Sequence, residues 1–236
     1  MTNLTRRLAS EPMTRIVALG SSNTERGAHG QGWHNWFDWL DVGLRERFGR
    51  VHHTINAGVS GETSRDMLAR FDRDVALYRP HLVIITTGGN DCNPANELSL
   101  EEFGANLSEL VRRVRRLDGC EALLQTYYSI DVAALTEEAE RARQFAGYMQ
   151  VVREVAAQDE AALVDHLARW ERLRHADLAA YRCLMRDPMH LNPLGNMVFG
   201  LDLLRALGVP PVGEVATWCE PGLAVQARLD VLAAEG

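Results

Sequence analysis

A serine of Gly20-Ser21-Ser22-Asn23-Thr24 and a histidine at position 190, three residues after Asp187 in Asp187-Pro188-Met189-His190, are the groups that serine acyl hydrolysis needs for attack and proton movement. An imidazole whose Nδ1 faces a carboxylate is held in the tautomer whose Nε2 can take a proton from a hydroxyl. Two further stretches, Asn56-Ala57-Gly58 and Gly88-Gly89-Asn90-Asp91, carry donors of the kind that hold an oxyanion. Gly58 offers a backbone N–H that no Cβ shields, and Asn90 offers a side-chain NH2. Taken singly, each stretch is ordinary turn or helix-cap chemistry. Together they could supply a nucleophile, a base with its orienting carboxylate, and donors to an oxyanion.

These groups need elements that bring them to one place. Apolar and β-branched runs predict strands near 15–20, 51–57, 81–88, 120–128 and 161–165, and each of the first three runs into one of the candidate stretches. Helical patterns over 33–48, 63–77, 100–117, 135–157 and 194–207 alternate with them. That alternation implies right-handed crossovers and an α/β fold, a three-layer α/β/α sandwich with a five-stranded parallel sheet of flavodoxin-like type. Open sheets of this kind gather their sites at the carboxyl ends of the strands. Asn192 before Pro193 predicts a helix cap with proline at the first helical position, so His190 sits in a short rigid loop just ahead of a helix.

The four stretches resemble, in order and spacing, the signature blocks of the SGNH or GDSL-type esterase and lipase superfamily, and they run from position 20 to 190 of the chain. The resemblance implies Ser22 as nucleophile, Ser22, Gly58 and Asn90 as the oxyanion hole, and Asp187 with His190 as the rest of a triad. It also implies hydrolysis of small or medium acyl esters through an acyl-serine, with no cofactor. The chain departs from the family at one position: the usual Gly-Asp-Ser is Gly20-Ser21-Ser22, which removes a local carboxylate and leaves the serine two after the glycine in place. An acyltransferase of the same fold, passing the acyl group to a sugar or alcohol, is the alternative. A flavodoxin-like binding protein is a more distant one, because Gly20 to Thr24 also resembles a hydroxyl-rich phosphate loop.

The rest of the sequence is compatible with such an enzyme. With 236 residues and 46% hydrophobic content the chain can bury one sizeable core, so a single domain over 1–236 is expected, with 1–13 a flexible N-terminal segment. A formal net charge of -7 argues against nucleic acid or an anionic membrane surface as partner, leaving a small-molecule ester as the expected ligand and homo-oligomerisation open. The two arginines near the N-terminus precede no apolar leader, and a cytoplasmic protein is expected. Cys92, Cys120, Cys183 and Cys219 are scattered, and the eight histidines show no ligand spacing, so no metal site is expected. Trp33, His34, Cys92 and Met189 flank the candidate stretches closely enough to wall a substrate pocket.

Overall fold

Strands buried on both faces are written as continuous apolar runs rather than alternating ones, because helices cover each side of a parallel sheet. The computed structural model describes residues 7, 8, 10, 14–27, 33–49, 52–135 and 138–234. Its main sheet has five strands, β1 (Thr14–Gly20), β2 (His52–Gly58), β3 (Leu82–Thr86), β4 (Glu121–Gln125) and β5 (Ala162–Val164). They are parallel throughout and lie in the order β2-β1-β3-β4-β5. Ile16 to Leu19 and Leu82 to Ile85 are excluded from solvent, which is why both runs are so uniformly apolar.

β1 pairs with β2 on one side and β3 on the other, with Gly20 opposite both Gly58 and Thr86. The sheet therefore grows in opposite directions from β1, and the crevice beyond its carboxyl end is the topological switch point where such sheets collect ligands. Ser22 lies two residues past the end of β1, and Gly88 to Asp91 follow β3.

The helices that flank the sheet are α1 (Trp36–Phe48), α2 (Ser64–Asp74), α3 (Leu100–Arg115), α4 (Ala139–Gln158), α5 (His166–Ala176), α6 (Leu178–Arg182), α7 (Pro193–Ala206), α8 (Gly213–Trp218) and α9 (Glu220–Ala234). One set packs α2 on α3 and α3 on α4; the other packs α1 on α7, α7 on α9 and α9 on α5. With the sheet they make the three expected layers.

Three features differ from the sequence expectation. α1 begins at Trp36 rather than position 33, because Asn35 accepts from the Phe37 and Asp38 N–H groups while Asp38 accepts from the Asn35 N–H, a reciprocal cap. α5, α6, α8 and α9 were not expected, nor was a two-stranded antiparallel ribbon of β6 (Met185–Asp187) and β7 (His190–Leu191). Most of the N-terminal segment 1–13 lies outside the described residues, but Arg7 and Leu8 are helical and Leu8 is buried in the core, where a flexible segment was expected. No helix of the described residues is long and apolar enough to cross a membrane.

Candidate active site

The chain leaves β1 in a tight turn in which the Thr24 and Glu25 N–H groups both donate to the Ser21 carbonyl, each at 2.9 Å. Ser22 rides on this turn. Two amides fix the far end: Asn35 and Asn56 each donate through Nδ2 to the Thr24 carbonyl, at 2.7 and 2.6 Å. Two tyrosines just past β4 hold it from beneath. Tyr127 shares a hydrogen bond of 3.0 Å with the Ser21 hydroxyl, and the Tyr128 hydroxyl lies 2.7 Å from Asn23 Oδ1 and 2.6 Å from the Met189 carbonyl. Burial pushes both phenols above their usual pKa, so they serve as neutral hydrogen-bonding groups.

Ser22 Oγ is 3.0 Å from His190 Nε2. On the other side of the ring, His190 Nδ1 lies 2.8 and 2.9 Å from the two Asp187 oxygens. A nitrogen facing a carboxylate carries the proton, so Nε2 is left to accept from the serine hydroxyl. The spacing of three works because Asp187 and His190 are cross-strand partners of the β6–β7 ribbon, with Pro188 and Met189 as its turn. Asp187 Oδ1 also accepts from the Met189 and His190 N–H groups, at 2.9 and 2.8 Å, and Arg186 Nη2 donates to Oδ2 at 2.8 Å. Burial works to raise the Asp187 pKa, but the hydrogen bonds from His190, Arg186 and the Met189 N–H outweigh it and hold the carboxyl well below its usual range. Asn192 then caps α7 by accepting from the Gly195 N–H at 2.9 Å, as the Asn-Pro pair predicts.

Asn90 sits in the turn after β3, which Asp91 braces by accepting from the Gly88 N–H and Thr87 hydroxyl at 3.0 Å and the Ser64 N–H at 2.7 Å. One Asn90 Nδ2 hydrogen goes to the Glu62 carbonyl at 2.9 Å, and an amide NH2 has a second to give. Arg141 Nη2 donates to Asn90 Oδ1 at 3.1 Å. Gly58 requires a correction. Its N–H donates to Asn56 Oδ1 at 2.9 Å, so it is not turned toward an incoming oxygen. Glycine is needed there for packing instead: a Cβ would lie 2.3 Å from the Glu25 nitrogen and 2.5 Å from the Thr24 carbonyl carbon.

Three of the proposed pocket residues are also elsewhere. Cys92 is fully buried, bonds the Gly89 carbonyl through Sγ at 3.2 Å and has its thiol pushed up to about 11 by burial, so it is a packing group. Trp33 and His34 wall a separate apolar cavity of about 710 Å³ with Trp39, Leu194, Met197 and Trp218. Ser22 and His190 border a space of only about 10 Å³, lined also by Asn35, Leu191 and Asn196. Met189 does stand beside His190, in a cavity of about 370 Å³ shared with Leu135, Glu138 and Arg141. The sequence reading missed Asn35, Asn56, Tyr127, Tyr128 and Arg141. Of these, Asn35 carried a local signal in the Asn-x-x-Asp spacing of a helix cap, and Asn56 lay in a singled-out stretch without being assigned a role. Among the described residues no group of three or more His, Cys, Asp or Glu side chains could hold a metal ion.

Residues 18–198 match the model of the GDSL-like lipase/acylhydrolase family. The chain belongs to that family. It is 28% identical over 162 residues to an acetylxylan esterase of Geobacillus stearothermophilus, covering 65% of this chain and 71% of that one. An isoamyl acetate-hydrolyzing esterase 1 homolog of Bos taurus is 30% identical over 200 residues, covering 77% of this chain and 76% of the relative. The solved structure of the Geobacillus stearothermophilus acetylxylan esterase Axe2 superposes with a TM-score of 0.70 over 86% of this chain and 96% of that one, at 23% identity, which establishes the shared fold. Solved catalytic mutants of Axe2 replace a serine, an aspartate and a histidine of that enzyme. Family and relatives together make this GDSL-family chain a carboxylic ester hydrolase.

Proposed function

We propose that this esterase hydrolyses acetyl and similarly small acyl esters through an acyl-serine on Ser22. The observation that carries the reading is the unbroken line from Ser22 Oγ to His190 Nε2 and from His190 Nδ1 to Asp187, at 3.0 and 2.8 Å. In that line His190 removes the serine proton as Oγ attacks the ester carbonyl. The same proton goes to the departing alcohol, after which His190 activates water against the acyl-serine. Asp187 keeps the tautomer and stabilises the imidazolium formed on attack. The Ser22 N–H and the second Asn90 Nδ2 hydrogen hold the oxyanion. A third donor in place of Gly58 is the N–H of Gly61, which is exposed at φ 81° in the turn leading to Glu62, whose carbonyl already touches Asn90.

Size supports a small acyl group. The narrow space beside Ser22, about 10 Å³, has room for about one water-sized group, which suits a methyl. Room for a larger alcohol is available beyond His190, in the cavity of about 370 Å³. Two relatives carry names that describe acetyl-ester cleavage, which agrees. The test is a series of p-nitrophenyl esters from acetyl to octanoyl, followed by acetylated sugars, with products identified. Falling kcat/KM with chain length, free acetate as product and fluorophosphonate labelling at Ser22 are expected. Labelling at Ser21, octanoate preferred over acetate, or transfer of the acyl group to an added sugar would overturn the corresponding part.

A further inference from the structure

Asn90 can stabilise an oxyanion only with its NH2 turned toward the serine; rotated half a turn, the same side chain would present a carbonyl oxygen and repel the charge it should hold. The amide is nearly symmetric in shape, so packing alone cannot choose between the two orientations. Two partners can. The Glu62 carbonyl accepts from Nδ2, and Arg141 Nη2 donates to Oδ1 at 3.1 Å. Arg141 also grips the peptide before Asn90, donating to the Gly89 carbonyl from Nε at 3.1 Å and from Nη2 at 2.7 Å. Its Nη1 is paired with Glu138 at 2.6 Å. Every nitrogen of the guanidinium is therefore directed at the protein, and the group is largely buried rather than held out for a substrate anion.

The position of Arg141 is itself unusual. It lies in the first turn of α4, where the helix dipole disfavours a cation, and the preceding Glu138 makes no side-chain cap. A residue that breaks a local rule marks a place where another requirement has won. We infer that Arg141 is the positioning residue of the oxyanion hole, a fork from α4 that fixes both the peptide and the amide orientation of Asn90. A donor on Oδ1 also polarises the amide and strengthens the opposite N–H as a donor. Arg141 thus acts through Asn90 and touches no reacting atom.

The inference rests on the oxyanion role of Asn90, and the experiment separates the two. Arg141→Met keeps the length of the side chain and removes every donor. Its kcat, normalised to sites titrated with fluorophosphonate, is expected to fall by about tenfold to a hundredfold, less than the roughly hundredfold to thousandfold loss expected for Asn90→Ala. KM should stay within about twofold, because the oxyanion exists mainly in the transition state. Arg141→Lys, which returns the charge without the planar fork, should recover part of the loss. The double variant Arg141→Met with Asn90→Ala should be within about twofold of Asn90→Ala alone, since Arg141 acts on the reaction only through Asn90. Multiplying losses in the double variant, or a loss confined to KM or to melting temperature, would show a structural role and overturn the inference; if the Met variant is insoluble, the Lys variant carries the same cycle. An undamaged Arg141→Met enzyme beside a damaged Asn90→Ala enzyme overturns this inference alone. Full kcat in Asn90→Ala removes the oxyanion reading and this one with it.

Discussion

The hydrogen-bond line through Ser22, His190 and Asp187 makes its members interdependent, and that dependence is measurable. Ser22→Ala and His190→Ala should each remove nearly the whole contribution of the line to kcat, and the double variant should be little worse than either; additive losses would contradict a shared role. Asp187 sets a second expectation. Its carboxyl is held below the usual 3.8 chiefly because hydrogen bonds from His190, Arg186 and the Met189 N–H overcome the opposing effect of burial. A depressed carboxyl stays ionised as the pH falls through the ordinary carboxylate range, so Asp187 should take up no proton of its own there. The acid limb of log kcat/KM should therefore have unit slope between about pH 4 and 6, and a slope of two would show Asp187 taking up a proton in that range. The same sign applies to stability. What the Asp187 contacts contribute is present above 3.8 and is lost only as the pH falls below it toward the folded-state value.

Elements bring these residues together through contacts that no local pattern announces. The Tyr128 hydroxyl links Asn23 of the serine turn to the Met189 carbonyl of the β6–β7 turn, and its ring is wholly buried against Trp170 and Phe199. Tyr128→Phe keeps the ring and deletes the link, stranding a buried acceptor, so about 1–3 kcal/mol of stability should be lost in urea unfolding, with kcat lowered as the two turns drift apart. Unchanged stability and kcat would reduce Tyr128 to filler. The strands were legible because burial on both faces writes them as uninterrupted apolar runs, and the residues at their carboxyl ends were legible because turn and catalytic types cluster there. Gly58 was misread because glycine serves an open N–H and a close backbone approach equally well, and only the structure separates the two: the N–H is bonded to Asn56 Oδ1, and a Cβ would lie 2.3 Å from the Glu25 nitrogen. Arg141 and Tyr128 lie 51 residues from Asn90 and 61 from Met189, respectively, beyond any spacing argument. α9 opens on Glu220-Pro221-Gly222, and the proline is tolerated there because the first turn of a helix has no N–H bond for it to lose.

At the scale of the molecule, the histidine is only as well placed as α7, which starts three residues after it and is anchored at its far end by a buried carboxylate. Asp202 is 4% exposed. It accepts from Arg169 of α5, from Trp170 Nε1 at 3.3 Å and from Gln226 Nε2 of α9 at 2.9 Å, and it lies 3.5 Å from His166 Nδ1. Arg169 continues to Asp230 of α9 at 2.7 Å, so one carboxylate knots three helices of the same layer. Burial alone would raise the Asp202 pKa, but its bonds to His166 and Gln226 and the charge of Arg169 bring it below the usual 3.8. Removing one member of such a buried set leaves the others without a partner, which typically costs about 3–5 kcal/mol. Arg169 is partly exposed and keeps Asp230, so Asp202→Ala should fall near the lower end, about 3 kcal/mol, read as a lower urea midpoint with an unchanged m value. Because the folded pKa is depressed, this contribution is complete above 3.8 and is lost as the pH falls below it; the gap between the wild type and Asp202→Asn should narrow only in that acid range. The variant should still hydrolyse acetyl esters at low temperature, since Asp202 touches nothing in the site. A gap that stays constant through the acid range, or no gap at neutral pH, would show that α7 is held by apolar packing alone and that the carboxylate is an incidental passenger.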